Sequence, residues 1–141
     1  MRLPPISLKA VAIAFAAELG VDFFISLFVF GFFAGDSLRQ GMTDAEFQEA
    51  ARQVTLTTAY VPWMMLFGTA TTVGGGYLAA RLARNIPYYH GLAMGILGVL
   101  FILVTWDGEL GWLNFLGLLL TVPASLYGAH LAKKHMTAAA P

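Results

Sequence analysis

The sequence predicts an all-α, polytopic membrane protein in which residues 1–141 form a single bundle of four transmembrane helices, both termini cytoplasmic. Three observations carry this. Of 141 residues, 58% are hydrophobic and only 11% charged, where a soluble domain carries about 25% charged residues, and mean hydropathy is +0.71. Four apolar stretches follow one another along the chain. The cations gather at alternate ends of those stretches, as cytoplasmic loops require.

The first stretch, Ala10 to Ala34, rises about 37 Å as a helix, more than a bilayer core needs. It is too long for a secretory signal and no small-residue cleavage site follows, so it should remain as a span. The second, roughly Thr57 to Ala80, precedes Arg81 and Arg84. The third, about Tyr88 to Trp106, is just long enough to cross. The fourth, about Leu110 to Ala132, ends at Lys133 and Lys134. Lipid leaves open sheet edges unsatisfied, and the stretches lack the alternation of barrel strands, so they are helices.

Charge orients them with the N-terminus inside. Arg2, Lys9, Arg81, Arg84, Lys133 and Lys134 then lie inside, six cations against Arg39 and Arg52 outside, as the positive-inside rule expects. Asp36, Asp44, Glu46, Glu49, Asp107 and Glu109 lie outside. Trp63, Trp106 and Trp112 mark the outer interface; Tyr77, Tyr88, Tyr89 and Tyr127 mark the inner one. Net charge is zero and nothing favours nucleic acid; the absence of cysteine removes disulfides, thiolate metal sites and thiol catalysis.

The connections are short. Asp107-Gly108 is a turn signal that makes the third and fourth helices a hairpin. Pro87 suits the first turn of the third helix. In the longer first loop, Gly41 precedes Thr43-Asp44-Ala45-Glu46, a capping box, and Phe47, Ala50, Ala51 and Val54 form one stripe. The expectation is a second helix that starts in solvent and runs on into the membrane; the alternative is a separate lid or interfacial segment. Pro62 and Pro123 are expected to interrupt the second and fourth helices.

Inside lipid, close backbone approach and interhelical hydrogen bonds hold helices together. Each span offers small residues at four-residue spacing: Ala12, Ala16 and Gly20; Gly68, Thr72, Gly76 and Ala80; Gly91 and Gly95; Gly117, Thr121, Ser125 and Ala129. These rows suggest a compact bundle that forms a homo-oligomer or joins a larger membrane complex. The run Gly74-Gly75-Gly76 follows no strand and lacks GxGxxG spacing, so it reads as helix packing.

Glu18 and Asp22 are the first span's only charges and sit one turn apart on one face, with Asp22 near the membrane midplane. Ionisable groups at that depth face a bundle interior, a cavity or a partner. Desolvation and mutual repulsion both disfavour their charged forms, so at least one is expected to hold its proton. Lys9 is about 13 Å away along the axis. Hydroxyls are the natural partners: Thr69, Thr71 and Thr72 from the second span, Thr121 and Ser125 from the fourth. Three roles stay open, namely a polar link between helices, a proton or cation site, and pairing with a cation of another subunit.

His90 and His130 open the third helix and close the fourth, so a hairpin puts them at similar depth. There they suit an interfacial or pH-responsive role; ligation of a b-type haem or contact with a quinone is the alternative, and otherwise no cofactor or metal is implied. Arg81 and Arg84, with Tyr88 and Tyr89, could hold an anionic lipid head group. No serine has a base partner in sequence and hydrolysis or group transfer has no machinery, so an enzyme is not expected.

The stretch Gly75-Gly76-Tyr77-Leu78-Ala79-Ala80-Arg81, with His90-Gly91, resembles a pattern in small, uncharacterised four-helix bacterial inner-membrane proteins, which implies the topology and carries no activity. Ala17-Glu18-Leu19-Gly20 is similar to the first-helix glutamate region of small multidrug resistance transporters, where the acid binds protons and cationic drugs; this chain adds Asp22 and a long first loop. Two functions are therefore expected. One is a non-catalytic structural or accessory subunit; the other is a small oligomeric transporter coupling proton or cation binding at Glu18 and Asp22 to substrate movement.

Overall fold

The computed structural model describes residues 6–35, 41–105 and 112–138, with side chains omitted at 112–114. Among the described residues it holds five helices: α1 (Leu8–Ala34), α2 (Asp44–Thr55), α3 (Tyr60–Ala83), α4 (Pro87–Val104) and α5 (Trp112–Ala138). The Asp107-Gly108 turn, Trp106, Glu109, Asp36, Arg39 and Arg2 lie outside the described residues, as does the side chain of Trp112.

Local chemistry sets the helix starts. Ser7 caps α1, its Oγ accepting from the Ala10 amide at 3.3 Å. Thr43 and Glu46 form the capping box of α2, with the Thr43 amide donating to Glu46 at 2.8 Å and the Glu46 amide donating to Thr43 Oγ1 at 3.4 Å. Pro87 occupies the first turn of α4, where a missing amide costs nothing.

The expected solvent-to-membrane second helix is corrected. It is two helices, because the chain leaves helical pairing between Leu56 and Ala59 before α3 begins at Tyr60. The stripe on α2 is graded: Val54 is buried, Ala50 and Ala51 half-buried, and Phe47 exposed. Pro62 does not interrupt a helix either. It falls in the first turn of α3, whose amides have no intrahelical partner anyway. Pro123 does lie inside α5, which nevertheless continues from Trp112 to Ala138.

α3 is the central element. It packs against α1, α4 and α5, whereas α1 and α5 do not meet among the described residues. The rings of Phe33 and Tyr60 pair the end of α1 with the start of α3 at 5.9 Å, so these two run antiparallel. Phe15 and Phe101 pair α1 with α4 at 5.7 Å.

The interior is built of small side chains. Ala10, Ala14, Ala79, Ala80, Ala124, Ala129 and Ala132 are buried, and the largest fully buried side chains are His90 and Ser125. The large apolar groups point outward, including Phe24, Phe28 and Phe32 of α1 and Leu100 of α4. A soluble bundle has the reverse order, large apolar groups inside. Small residues within and large ones without is the order that lipid favours. Three of the described helices (Leu8–Ala34, Pro87–Val104 and the Phe115–Ala138 part of α5) are long and apolar enough to cross a membrane.

Glycine explains how closely the helices approach, but only at some positions. A Cβ on Gly76 would collide with the Ser125 carbonyl, one on Gly91 would lie 2.6 Å from Ala129 Cβ, and one on Gly95 would lie 2.9 Å from Val122 Cα. Gly75, Gly98 and Gly128 are equally crowded. Gly20, Gly68 and Gly117, expected as packing positions, have nothing within 4 Å. Ala12, Ala16 and Gly20 are exposed, because α1 turns its acidic face rather than its small-residue row toward α3.

Candidate functional site: the acidic seam between α1 and α3

Glu18 and Asp22 lie near the middle of α1 and are both half-buried. Their four-residue spacing puts them on one face, and that face meets α3. Thr71 Oγ1 lies 2.5 Å from Asp22 Oδ1 and 2.9 Å from the Gly68 carbonyl oxygen. A hydroxyl has one proton. With Asp22 ionised, Thr71 donates to the carboxylate; with Asp22 protonated, the acid donates to Thr71, whose proton turns to Gly68. Either state of the acid is therefore satisfied.

One turn away, the Thr72 side chain lies beside Glu18. The Glu18 carboxylate also fills the space that a side chain at Gly75 would need: a Cβ there would press on Oε2 and lie 2.9 Å from both Glu18 Cδ and the Met94 methyl. Gly75 thus makes room for the acid, and Met94 of α4, only 2% exposed, closes the seam from one side. The glycine run was legible in the sequence as packing, but its pairing with Glu18 was not, because it depends on the register of α1 against α3.

The other hydroxyls expected beside the acids are elsewhere. Ser125 donates to the Gly91 carbonyl at 2.7 Å and so binds α5 to α4. Thr121 donates to the Gly117 carbonyl of its own helix at 2.8 Å. Neither can join the seam, since α5 does not reach α1. Thr69 is half-buried on α3, two and three positions from the threonines that do meet the acids.

The histidines do not form a pair. Gly91 of α4 and Ala129 of α5 touch, so His90 and His130 share a depth, yet His90 is fully buried and His130 exposed. His90 Nε2 accepts from the Ser7 amide at 2.9 Å, and its Nδ1 donates to the Ile86 carbonyl at 3.2 Å. Both ring nitrogens are used, leaving His90 no lone pair to ligate haem iron. The ring instead ties the N-cap of α1 to the start of α4. No sequence signal announces this contact, which spans 83 positions. His130 bonds the Tyr88 hydroxyl at 2.9 Å through Nδ1.

The seam offers two carboxylates and two hydroxyls, which can hold a proton or link two helices. Among the described residues, no group of three or more His, Asp or Glu side chains could hold a metal ion. No family model, curated protein or solved structure matches the chain.

Proposed function

We propose that this chain is a four-helix integral protein of a bacterial inner membrane, both termini cytoplasmic, serving as a non-catalytic accessory subunit in a larger complex or homo-oligomer. Glu18 and Asp22 act as a polar clamp that holds α1 on α3. The observation that carries the proposal is the Thr71–Asp22 hydrogen bond, at 2.5 Å, beside the Glu18 carboxyl seated against Gly75. Both acids lie against the neighbouring helix, Asp22 on Thr71 and Glu18 on Gly75. In model peptides such interhelical bonds are worth about 1–2 kcal/mol inside lipid. α1 needs them, because α3 is its principal support and its outer face is a bare row of large apolar groups.

A crossing role for α3 is supported by its position. It spans 24 residues among α1, α4 and α5, and Thr71, Gly75 and Gly76 face those helices. A helix so sheltered can be less apolar than its neighbours and still cross. Purification from native membranes tests the accessory role. A stoichiometric partner chain, or a stable oligomer without transport activity, is expected; recovery of an isolated monomer overturns it.

The half-exposure of both carboxylates favours one second reading, a small transporter that couples a proton or cation to substrate movement. In proteoliposomes, Glu18→Gln then abolishes proton-coupled flux while the protein still folds. Under the clamp, there is no such flux to lose.

A further inference from the structure

At the end of the bundle where α1 and α4 begin and α3 and α5 finish, two tyrosines organise the basic side chains. On the α3 side, Arg81 Nη1 donates to the Tyr77 hydroxyl at 2.6 Å, and the guanidinium lies 5.8 Å from that ring's centre. The Tyr77 hydroxyl proton is left for His135 Nδ1, 3.2 Å away. On the α4 side, Lys133 Nζ sits 5.2 Å over the Tyr88 ring, and the Tyr88 hydroxyl meets His130 Nδ1 at 2.9 Å. α5 supplies His130, Lys133 and His135, so it links the two groups.

The charge at this end is uncompensated. Lys9, Arg81, Arg84, Lys133 and Lys134 are all here, and among the described residues no Asp or Glu is. Helix dipoles do not offset it. Two N-termini contribute about +0.5 each and two C-termini about −0.5 each, which cancel. Arg81 uses one of its five N–H donors on Tyr77, and Lys133 lies over a ring face that takes up no N–H bond.

We infer that this end binds the phosphate-bearing head groups of anionic phospholipid, at Arg81 on the α3 side of α5 as positioned by Tyr77 and at Lys133 on its α4 side as positioned by Tyr88. Resting on the membrane placement proposed above, the inference adds a ligand to that placement. A free phosphate shares the anionic chemistry, but the adjoining surface suits acyl chains. One turn along α4 from Tyr88 is Leu92, and one further is Ile96; on α5, Tyr127 precedes His130 by one turn. All three are exposed, at 39%, 49% and 57%. A phosphodiester held at the rim would lay its chains along that apolar strip.

The test compares the full chain in phosphatidylcholine nanodiscs with the same nanodiscs doped with phosphatidylglycerol, and with inorganic phosphate added to the former. Melting temperature and lipid retained in native mass spectrometry are read. Phosphatidylglycerol should raise the melting temperature and be retained; phosphate should do neither. Arg81→Gln with Lys133→Gln should lose both effects. Lys134→Gln should keep them, since Lys134 carries the same charge as its neighbour but makes no ring contact among the described residues. If the double variant fails to fold, Tyr88→Phe, which keeps the ring under Lys133 and removes the tether to His130, should retain less phosphatidylglycerol than wild type. Equal loss in Lys134→Gln and the double variant would mean diffuse attraction and overturn the site, as would undiminished retention in Tyr88→Phe. Stabilisation by inorganic phosphate alone would overturn the lipid assignment. None of these readouts needs a protein partner, so failure here and failure of the accessory role are separate results.

Discussion

Single atoms decide what each glycine is for. At Gly76 an added methyl would meet the Ser125 carbonyl, and at Gly128 it would meet the Val73 carbonyl and Tyr77 amide. These are backbone atoms that cannot step aside, so Gly76→Ala and Gly128→Ala should each cost about 1–3 kcal/mol, as overpacking does. At Gly75 the obstacles are the ends of Glu18 and Met94, which can rotate, and Gly75→Ala should cost less while pushing Glu18 off α3. Gly20, Gly68 and Gly117 meet nothing; alanine there should be neutral or stabilising by up to about 1 kcal/mol through helix propensity. Chemical denaturation in mild detergent ranks the six variants, and equal costs across both sets would contradict the packing described. Thr71→Val belongs to the same scale. It keeps the shape but removes the donor to Asp22, so a loss of about 1–2 kcal/mol is expected, with Asp22→Asn in the same background restoring little.

At the scale of elements, α2 depends on its cap. The Thr43 backbone amide and then its hydroxyl hold the Glu46 carboxyl below its ordinary value of 4.5. A depressed folded value means that this contribution is present above the unfolded value and is lost as pH falls through the folded one. Circular dichroism should therefore show helix content in a 41–56 peptide, or α2 amide protection in the whole chain, declining below about pH 4.5. Glu46→Gln should flatten that decline. The capping box was readable in the sequence because its residues are three apart and its chemistry is local. The break between α2 and α3 was not, since Leu56–Ala59 contains neither Gly nor Pro and propensity gave no stop. The first, third and fourth apolar stretches matched α1, α4 and α5 closely, because apolar length alone marks them. The acidic pair was likewise visible, as charge in an apolar run. Its partners were only partly so: Thr71 and Thr72 meet the acids, while Ser125 and Thr121, equally plausible by depth, face other contacts. Depth follows from counting residues, but the rotation of one helix against another does not.

For the whole molecule, the decisive quantity is the number of crossings. Three helices satisfy length and apolarity on their own, whereas α3 carries Thr69, Thr71, Thr72 and the glycine run, and ends with Arg81. If α3 crosses, sheltered by its three neighbours, then Lys9 and Lys134 lie on the same side of the membrane. If it does not, an odd number of crossings separates them. The bundle itself favours the first outcome: the Ser7 amide reaches His90, and His90 shares its depth with the end of α5 through the contact of Gly91 with Ala129. The protein has no cysteine, so single introduced thiols report cleanly. A membrane-impermeant maleimide applied to intact cells should label Gln48→Cys on α2 at once. It should label Lys9→Cys and Lys134→Cys only after permeabilisation, and both to the same extent. Labelling of Lys134→Cys but not Lys9→Cys in intact cells would leave three crossings and exclude the up-and-down bundle. Labelling of both, with Gln48→Cys protected, would keep the bundle and invert it in the membrane.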